Sequence, residues 1–309
     1  MTEAPAADHQ SGPRIGVIGL VDGWSSNALS QALEAETGFG RIIELDRVVA
    51  DLERGRVHTT DPDELDLCTL DGLIIKKIGA RYAPEMLDRL ELLRFVESRG
   101  VQIFSPPERI LRMVNRVACT TTLAASEMPM PPTVMTEDLD RAVEAIKTFG
   151  EAVVKPVYST KARGFRLLGP GQDIATELRA HREESGHPLF YIQKKLDLGG
   201  RDLGVIFLAG EYVGTYARVA GSDSWETTIH SGGRYEAFEP AEEVVELARL
   251  AAAPFGLTLA GVDVALLDGG PLIFEVSAFG GFRGLREGLG LDGAELLAQH
   301  VTSAIRSRR

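Results

Sequence analysis

Asp263 and Glu275 are the two residues whose spacing alone points to chemistry. They lie in 261–277, two β-rich runs joined by Asp268, Gly269 and Gly270, the composition of a tight hairpin loop. If Leu267 faces Pro271 across that loop, counting back sets Asp263 opposite Glu275, and opposed residues project to one face of a sheet. Ser277 falls on the same side. The other side presents Val262, Val264 and Leu266 against Leu272, Phe274 and Val276, a dry packing surface. Two carboxylates opposed within about 5 Å repel unless a cation lies between them. Mg²⁺ shared between carboxylates and phosphate oxygens would be such a cation. A solvated face, with each acid paired to a nearby Lys or Arg, is the other reading of the same pattern.

Basic side chains elsewhere suggest what else such a site would hold. Lys155 sits in AVVKPV, an apolar strand where an ammonium is costly unless it meets an anion; a structural ion pair is the alternative. The run 277–286, SAFGGFRGLR, is a glycine turn leading into a helix with Arg283 and Arg286, where backbone amides could receive an anion. With HSGGR, His230 to Arg234, it forms a candidate acceptor pocket; ordinary glycine-rich packing explains it equally. No general base is assigned, and His230 as a lone loop histidine also reads as solvated.

The elements that must position these residues change in texture along the chain. Short apolar runs at 14–19, 41–45, 73–75 and 101–104 alternate with helical patterns, one of which Ser25 or Ser26 could cap and another of which spans 84–98. That alternation predicts a small parallel sheet flanked by helices. The loop 19–23 could cradle a phosphate but lacks dinucleotide glycine spacing, and a plain strand-to-helix turn is the better reading. Ser105, Pro106 and Glu108 form a helix start with Ser as cap, and Asn115 can cap a second helix to Ala125. Three prolines between 128 and 133 require an extended connector. From 151 onward, strands at 152–157, 165–168, 189–195, 202–208 and 212–219 read as hairpins, and a helix runs over 241–255 to Gly256. Two α+β lobes result, with a domain boundary near Ser105.

Composition narrows the class. The chain has 309 residues, 44% of them hydrophobic, enough for two or three cores. A net charge of −12, from 33 basic and 45 acidic side chains, disfavours nucleic acid and anionic lipid as partners. Cys68 and Cys119 lack metal or redox spacing and fit a reducing cytoplasm. The first 13 residues read as a disordered tail without signal-peptide character. The most apolar window, 247–262, is broken by Arg249, Pro254 and Gly256, which excludes a membrane span there.

Taken together these runs resemble the RimK-like ATP-grasp ligases, over about 76–301 and most densely in 152–161, 191–220 and 260–285. Within that superfamily KKIGARYAPEMLDRLE, PMPP, STKARG, GRDLGV and EVSAFGGFRGLRE look most like the ATP-grasp protein of GAK systems, whose companions are an acetyltransferase-like and a kinase-like protein. The resemblance implies an ATP-grasp fold, α/β followed by α+β: a Rossmann-like N-terminal domain over 14–105, a central lobe over 106–190 and a C-terminal lobe over 191–309. It implies ATP with Mg²⁺ or Mn²⁺, and small-molecule or peptide carboxylate and amine substrates; a homo-oligomer is compatible with it. Arg116 and Lys155 match phosphate-binding positions, and 158–164, with Lys161 and Arg163, matches the phosphate lid, where the family carries more glycine. The strand 191–196, with Gln193, Lys194, Lys195 and Leu196, matches the hinge whose backbone reads adenine. Asp202 matches an acid near ribose and Arg218 the phosphoryl- or acyl-phosphate-binding arginine. Asp263 and Glu275 match the metal ligands. Ser277 and Thr228 stand where the family has Asn, which weakens the expected metal affinity. The implied reaction is ligation through an acyl phosphate; a hydroxyl kinase and a non-catalytic ATP-binding regulator remain alternatives.

Overall fold

In the computed structural model, residues 12–160, 162–221 and 232–308 are described. The expected tail up to residue 11, together with Lys161, Thr228 and His230, lies outside them. The chain forms two compact units, one made of residues up to 78, 95–104 and 294–309, the other of 79–94 and 105–293.

The first unit follows from four apolar runs. Strands β1 (Ile15–Ile18), β2 (Ile42–Ile43), β5 (Gly72–Ile75) and β6 (Gln102–Phe104) make a wholly parallel sheet in the order β2-β1-β5-β6. The helix α1 (Trp24–Thr37) connects β1 to β2, β3 (Val48–Asp51) and β4 (Arg56–Thr59) form a separate hairpin, and α2 (Glu85–Ser98), whose residues up to 94 count with the second unit, lies between β5 and β6 in the chain. Neither Ser25 nor Ser26 caps α1. Gly23 is its N-cap, and the Ser26 hydroxyl instead accepts from the Leu20 amide at 3.2 Å, which closes the loop 19–23 on itself.

The second unit carries two antiparallel sheets. Its helices α3 (Pro107–Ile110), α4 (Arg116–Ala125), α5 (Leu139–Phe149) and α6 (Ile174–Ser185) accompany a sheet of β7 (Thr133–Thr136), β8 (Ala152–Lys155), β9 (Arg166–Leu168) and β10 (Phe190–Lys194), ordered β7-β10-β8-β9. Asn115 caps α4 as expected, its Oδ1 accepting from the Ala118 amide at 2.8 Å. Ser105 does not cap α3, whose N-cap is Pro106. It adopts a left-handed φ of 55° and exchanges bonds with Thr258, each side-chain oxygen accepting from the other residue's amide. One face of the sheet, with Ala152, Val154, Phe190 and Ile192, is sealed beneath Ala142, Ile146 and Leu178 of α5 and α6.

The other sheet joins β11 (Arg201–Leu208), β12 (Glu211–Val219), β13 (Arg234–Ala237), β14 (Leu259–Leu267) and β15 (Gly270–Ser277) in the order β13-β12-β11-β14-β15, and α7 (Glu242–Ala252) packs on β11, β14 and β15. The chain closes with α8 (Phe282–Leu289), lying along β12 and β13, and α9 (Gly293–Arg306), most of which counts with the first unit, where the tip of Ile305 packs over Gly72. Among the described residues no helix is long and apolar enough to cross a membrane.

Because Ile146 is fully buried in the α5 and α6 layer, Ile146→Ala should cost about 2–5 kcal/mol in urea denaturation of the second unit. A loss below about 1 kcal/mol would mean that the layer is not packed as described.

Candidate functional site

The β14–β15 hairpin opposes Asp263 to Glu275, by a different route from the one counted above. The loop is one residue shorter, with Leu267 paired to Gly270 and Leu266 to Pro271. A β-bulge between Val264 and Asp263 then adds one residue on β15 and restores the pairing. The bulge also re-aims the strand. Ile273, opposite Val264, is buried in the core, whereas Phe274, expected on the dry face, lies beside Lys155 with its ring centre 5.7 Å from Nζ; Leu266 is exposed.

Register extends this row across four strands. Tyr216 of β12 opposes Gly204 of β11, which opposes Asp263, which opposes Glu275. Glycine at 204 is a steric requirement, since a Cβ there would come within 2.5 Å of the Tyr216 ring. In the next row Arg218 opposes Asp202. Its guanidinium bonds Asp202 and reaches Asp263, Nη2 to Oδ2, at 2.9 Å. Burial works against the Arg218 charge, but Asp263 and Asp202 outweigh it and hold it well above its ordinary range. Burial pushes the Asp263 carboxyl up to about 6; Arg218 pulls the other way and is offset by Asp202 and Glu275.

The same unit brings further cations to this face. Arg116, the first residue of α4, sets Nη1 3.4 Å from Glu275 Oε2, and its Nη2 donates to Ser159 Oγ at 3.1 Å. Lys155 ends β8 and its Nζ donates to Gln193 Oε1 at 2.5 Å. Burial, with the Arg116 charge added, lowers the Lys155 ammonium to about 7, while Glu275 and Asp263 act in the opposite direction. Arg116, Asn115, Cys119, Thr120, Ser159, Phe274 and Glu275 line one pocket, joined by Tyr82, whose ring stands edge-on to Phe279 at 6.1 Å. Tyr82 carries no chemical motif of its own in the sequence; the run KKIGARY around it is the signal nearest to it.

Other expected residues lie apart from this cluster or are otherwise engaged. Ser277 shares the hairpin face, but its Oγ accepts from the Phe279 amide at 3.2 Å. The amides of Lys194 and Lys195 donate to Pro132 and Glu151 carbonyls, and the Lys195 ammonium pairs with Glu151 at 3.3 Å. The Lys194 side chain is exposed and Leu196 half-buried. Arg163 is exposed on its turn. Arg234 pairs with Glu236 at 2.6 Å, and Arg283 lies 3.6 Å from Glu287.

Among the described residues no three His, Cys, Asp or Glu side chains group as a metal cage. Mg²⁺ does not require one, since it commonly takes one or two carboxylates and fills its shell with water and phosphate oxygens. Asp263 and Glu275 fit that donor set: they are oxygen ligands, opposed in register, with an Asp263 carboxyl made costly to ionise first by burial and then by Asp202 and Glu275.

Residues 113–301 match the model of the RimK-like ATP-grasp domain, more than half of the chain. A tetrahydromethanopterin:alpha-L-glutamate ligase of Methanosarcina acetivorans is 28% identical over 319 residues, covering 91% of this chain and 96% of that protein. A probable alpha-L-glutamate ligase of Xanthomonas euvesicatoria pv. vesicatoria is 27% identical over 237 residues, 75% of this chain and 78% of the relative. Among solved structures, the ATP-grasp ligase PsnB, complexed with a phosphomimetic variant of a minimal precursor, Mg and ADP, superposes with a TM-score of 0.71 at 19% identity, over 94% of this chain and 98% of that one. At that identity the likeness is one of fold. The ATP-grasp architecture expected from the sequence, mixed α/β and α+β, is therefore the fold of this chain.

The lowered Lys155 value gives a pH test. Between about pH 7 and 10.5 the folded protein binds fewer protons than the unfolded chain, so this group makes stability rise with pH across that window. Below pH 7 both states are protonated and the cost of burying the charge is felt in full. Without nucleotide, Lys155→Met should therefore melt higher than the parent at pH 6, with the difference shrinking toward pH 10. A constant difference would contradict the assignment.

Proposed function

The chain belongs to the RimK-like ATP-grasp family, and from that premise we propose that it is an ATP-dependent carboxylate–amine ligase that uses Mg²⁺. The observation that carries the reading is the row in which Asp263 opposes Glu275 on the face also served by Arg218, Arg116 and Lys155. Bound at Asp263 and Glu275, the metal would neutralise phosphate charge. Ser277 is proposed as a weaker third oxygen ligand.

In this mechanism a substrate carboxylate oxygen attacks the γ-phosphorus of ATP, the bond to the β-phosphate oxygen breaks, and ADP leaves with that electron pair. Arg116 and Arg218 face the transferring group as fixed positive charge, and Lys155 adds its own when protonated, which a partly dehydrated site makes effective. The resulting acyl phosphate is attacked at carbon by an amine, and inorganic phosphate departs as the amide forms and the amine loses a proton. Arg218 suits this task because its planar fork can release Asp263 and keep Asp202 while it turns to phosphoryl oxygens. Adenine would be read by main-chain groups of 193–196, with Asp202 toward ribose and Lys161 over the phosphates. His230, Arg234 and Arg283 are proposed for the acceptor.

The same reading divides the chain at 105 and 190; the change from a parallel to antiparallel sheets supports the first division, while β10, paired with β7 and β8, carries the central sheet on to Lys194 before β11 opens the next one. The glutamate-ligase relatives favour an amino acid as the amine, and the precursor bound by PsnB keeps a peptide carboxylate open. Free Cys68 and Cys119 suit a cytoplasmic setting. Acetyltransferase-like and kinase-like companions rest on the motif resemblance to GAK systems.

With ATP, Mg²⁺ and a panel of carboxylic acids, hydroxylamine should trap a hydroxamate as ADP is released, and Glu275→Gln should lower that release at least 100-fold while the protein stays folded. Phosphorylated hydroxyl compounds instead of hydroxamate would mark a kinase. ATP bound without ADP release across the panel would mark a non-catalytic protein.

A further inference from the structure

The sheet face opposite the α5 and α6 core is polar yet buried. In register, Lys155 opposes Tyr191, and Gln193 opposes Val153 on one side and Thr133 on the other, so Thr133, Gln193, Tyr191 and Lys155 share that face. Gln193 is 3% exposed and Tyr191 1%. A buried amide is costly unless both its ends are bonded, and here they are. Gln193 Oε1 accepts from Lys155 Nζ at 2.5 Å, while Nε2 donates to Thr133 Oγ1 at 3.1 Å and lies 3.4 Å from Tyr191 Oη. Tyr191 Oη is fixed in turn by Thr120 Oγ1 at 2.9 Å. The amide can sit only one way round, because reversing it would set its NH₂ against the ammonium.

Two rings also lie near Lys155, with Phe165 at 5.2 Å and Phe274 at 5.7 Å from Nζ. The charges that act on it come from Arg116 on α4 and from Glu275 and Asp263 on the β14–β15 hairpin. Its direct bond is thus to a dipole. A carboxylate in place of that amide would form an ion pair and compete with any incoming phosphate.

We propose that Gln193 is a positioning residue: its side-chain carbonyl, locked by Thr133, Tyr191 and Thr120, holds the Lys155 ammonium charged and in place, leaving that charge for a nucleotide phosphate. This rests on the nucleotide site proposed above. It assigns to the Gln193 side chain a task separate from any main-chain contact with adenine.

Calorimetric binding of Mg²⁺ and ADP to the full chain at pH 6, 7, 8 and 9 tests it. Gln193→Leu should weaken ADP about tenfold at pH 8–9 and less at pH 6, because an ammonium without its acceptor loses its proton more readily. Gln193→Glu should weaken ADP at every pH with a flatter profile, since the new carboxylate keeps Lys155 charged but occupied. In a Lys155→Met background, Gln193→Leu should change nothing further. Circular dichroism verifies the fold, and the Glu variant carries the test if the Leu variant unfolds. The inference is overturned if folded Gln193 variants bind ADP as the parent does at all four pH values, or if the loss is the same with Met at 155. If Lys155→Met weakens ADP while the Gln193 variants do not, the nucleotide site stands and this inference alone falls. A parent protein that fails to bind ADP overturns both.

Discussion

Opposed carboxylates on a half-buried sheet face must be matched by positive charge, and this constraint organises the second unit. Asp263 and Glu275 face each other across β14 and β15, with Asp202 one strand away. Water that would otherwise solvate them is partly excluded, so their repulsion is felt more strongly than on an open surface. Arg218 answers from β12 and Arg116 from the start of α4. Both arginines are largely covered, which makes their charge costly unless it is used. In the proposed function a metal ion would take the carboxylates as phosphate oxygens take the guanidinium groups, so that each charge exchanges one partner for another.

The scaffold achieves this with few special devices. Alternation along five antiparallel strands sends Val205, Val262, Val264, Ile273 and Val276 into the core and the charged residues to the other face. Glycine at 204 makes room for Tyr216, and glycines at 284 and 288 let α8 approach the ring and Cβ of the same residue. Asn115 caps α4 and so fixes where Arg116 begins. Lys155 is reached from the other sheet, whose opposite face is sealed by α5 and α6. Each charged group thereby hangs from regular structure whose position is set by packing.

Much of this was legible in the residues. Asp263 and Glu275 could be paired by counting because side-chain direction in a strand has a period of two. The count succeeded through two compensating departures, a shorter loop and a bulge. Bulges leave no compositional mark, so Phe274 could not have been moved to the site side in advance. The Asn115 cap, the helix over 84–98 and the parallel strands follow local rules and were visible. Ser105 looked like a cap because Ser-Pro-Pro-Glu is cap-like, yet its bonds go to Thr258, 153 residues away. Asp138 and Asp173 cap α5 and α6, a local signal present in the sequence beside the strand pattern of that region. The Gln193 side chain was hidden for a related reason. Its partner Lys155 is 38 residues distant, and only the register of β8 with β10 brings the two together.

In the proposed function Asp263 and Glu275 hold the metal that accompanies the nucleotide, and everything else at the site depends on that. The most direct measurement is calorimetric ADP affinity with and without Mg²⁺, for the parent and for the double variant Asp263→Asn, Glu275→Gln. Mg²⁺ should tighten ADP binding by tenfold or more in the parent and leave it unchanged in the double variant, which still binds ADP. Equal tightening by Mg²⁺ in both proteins would contradict it.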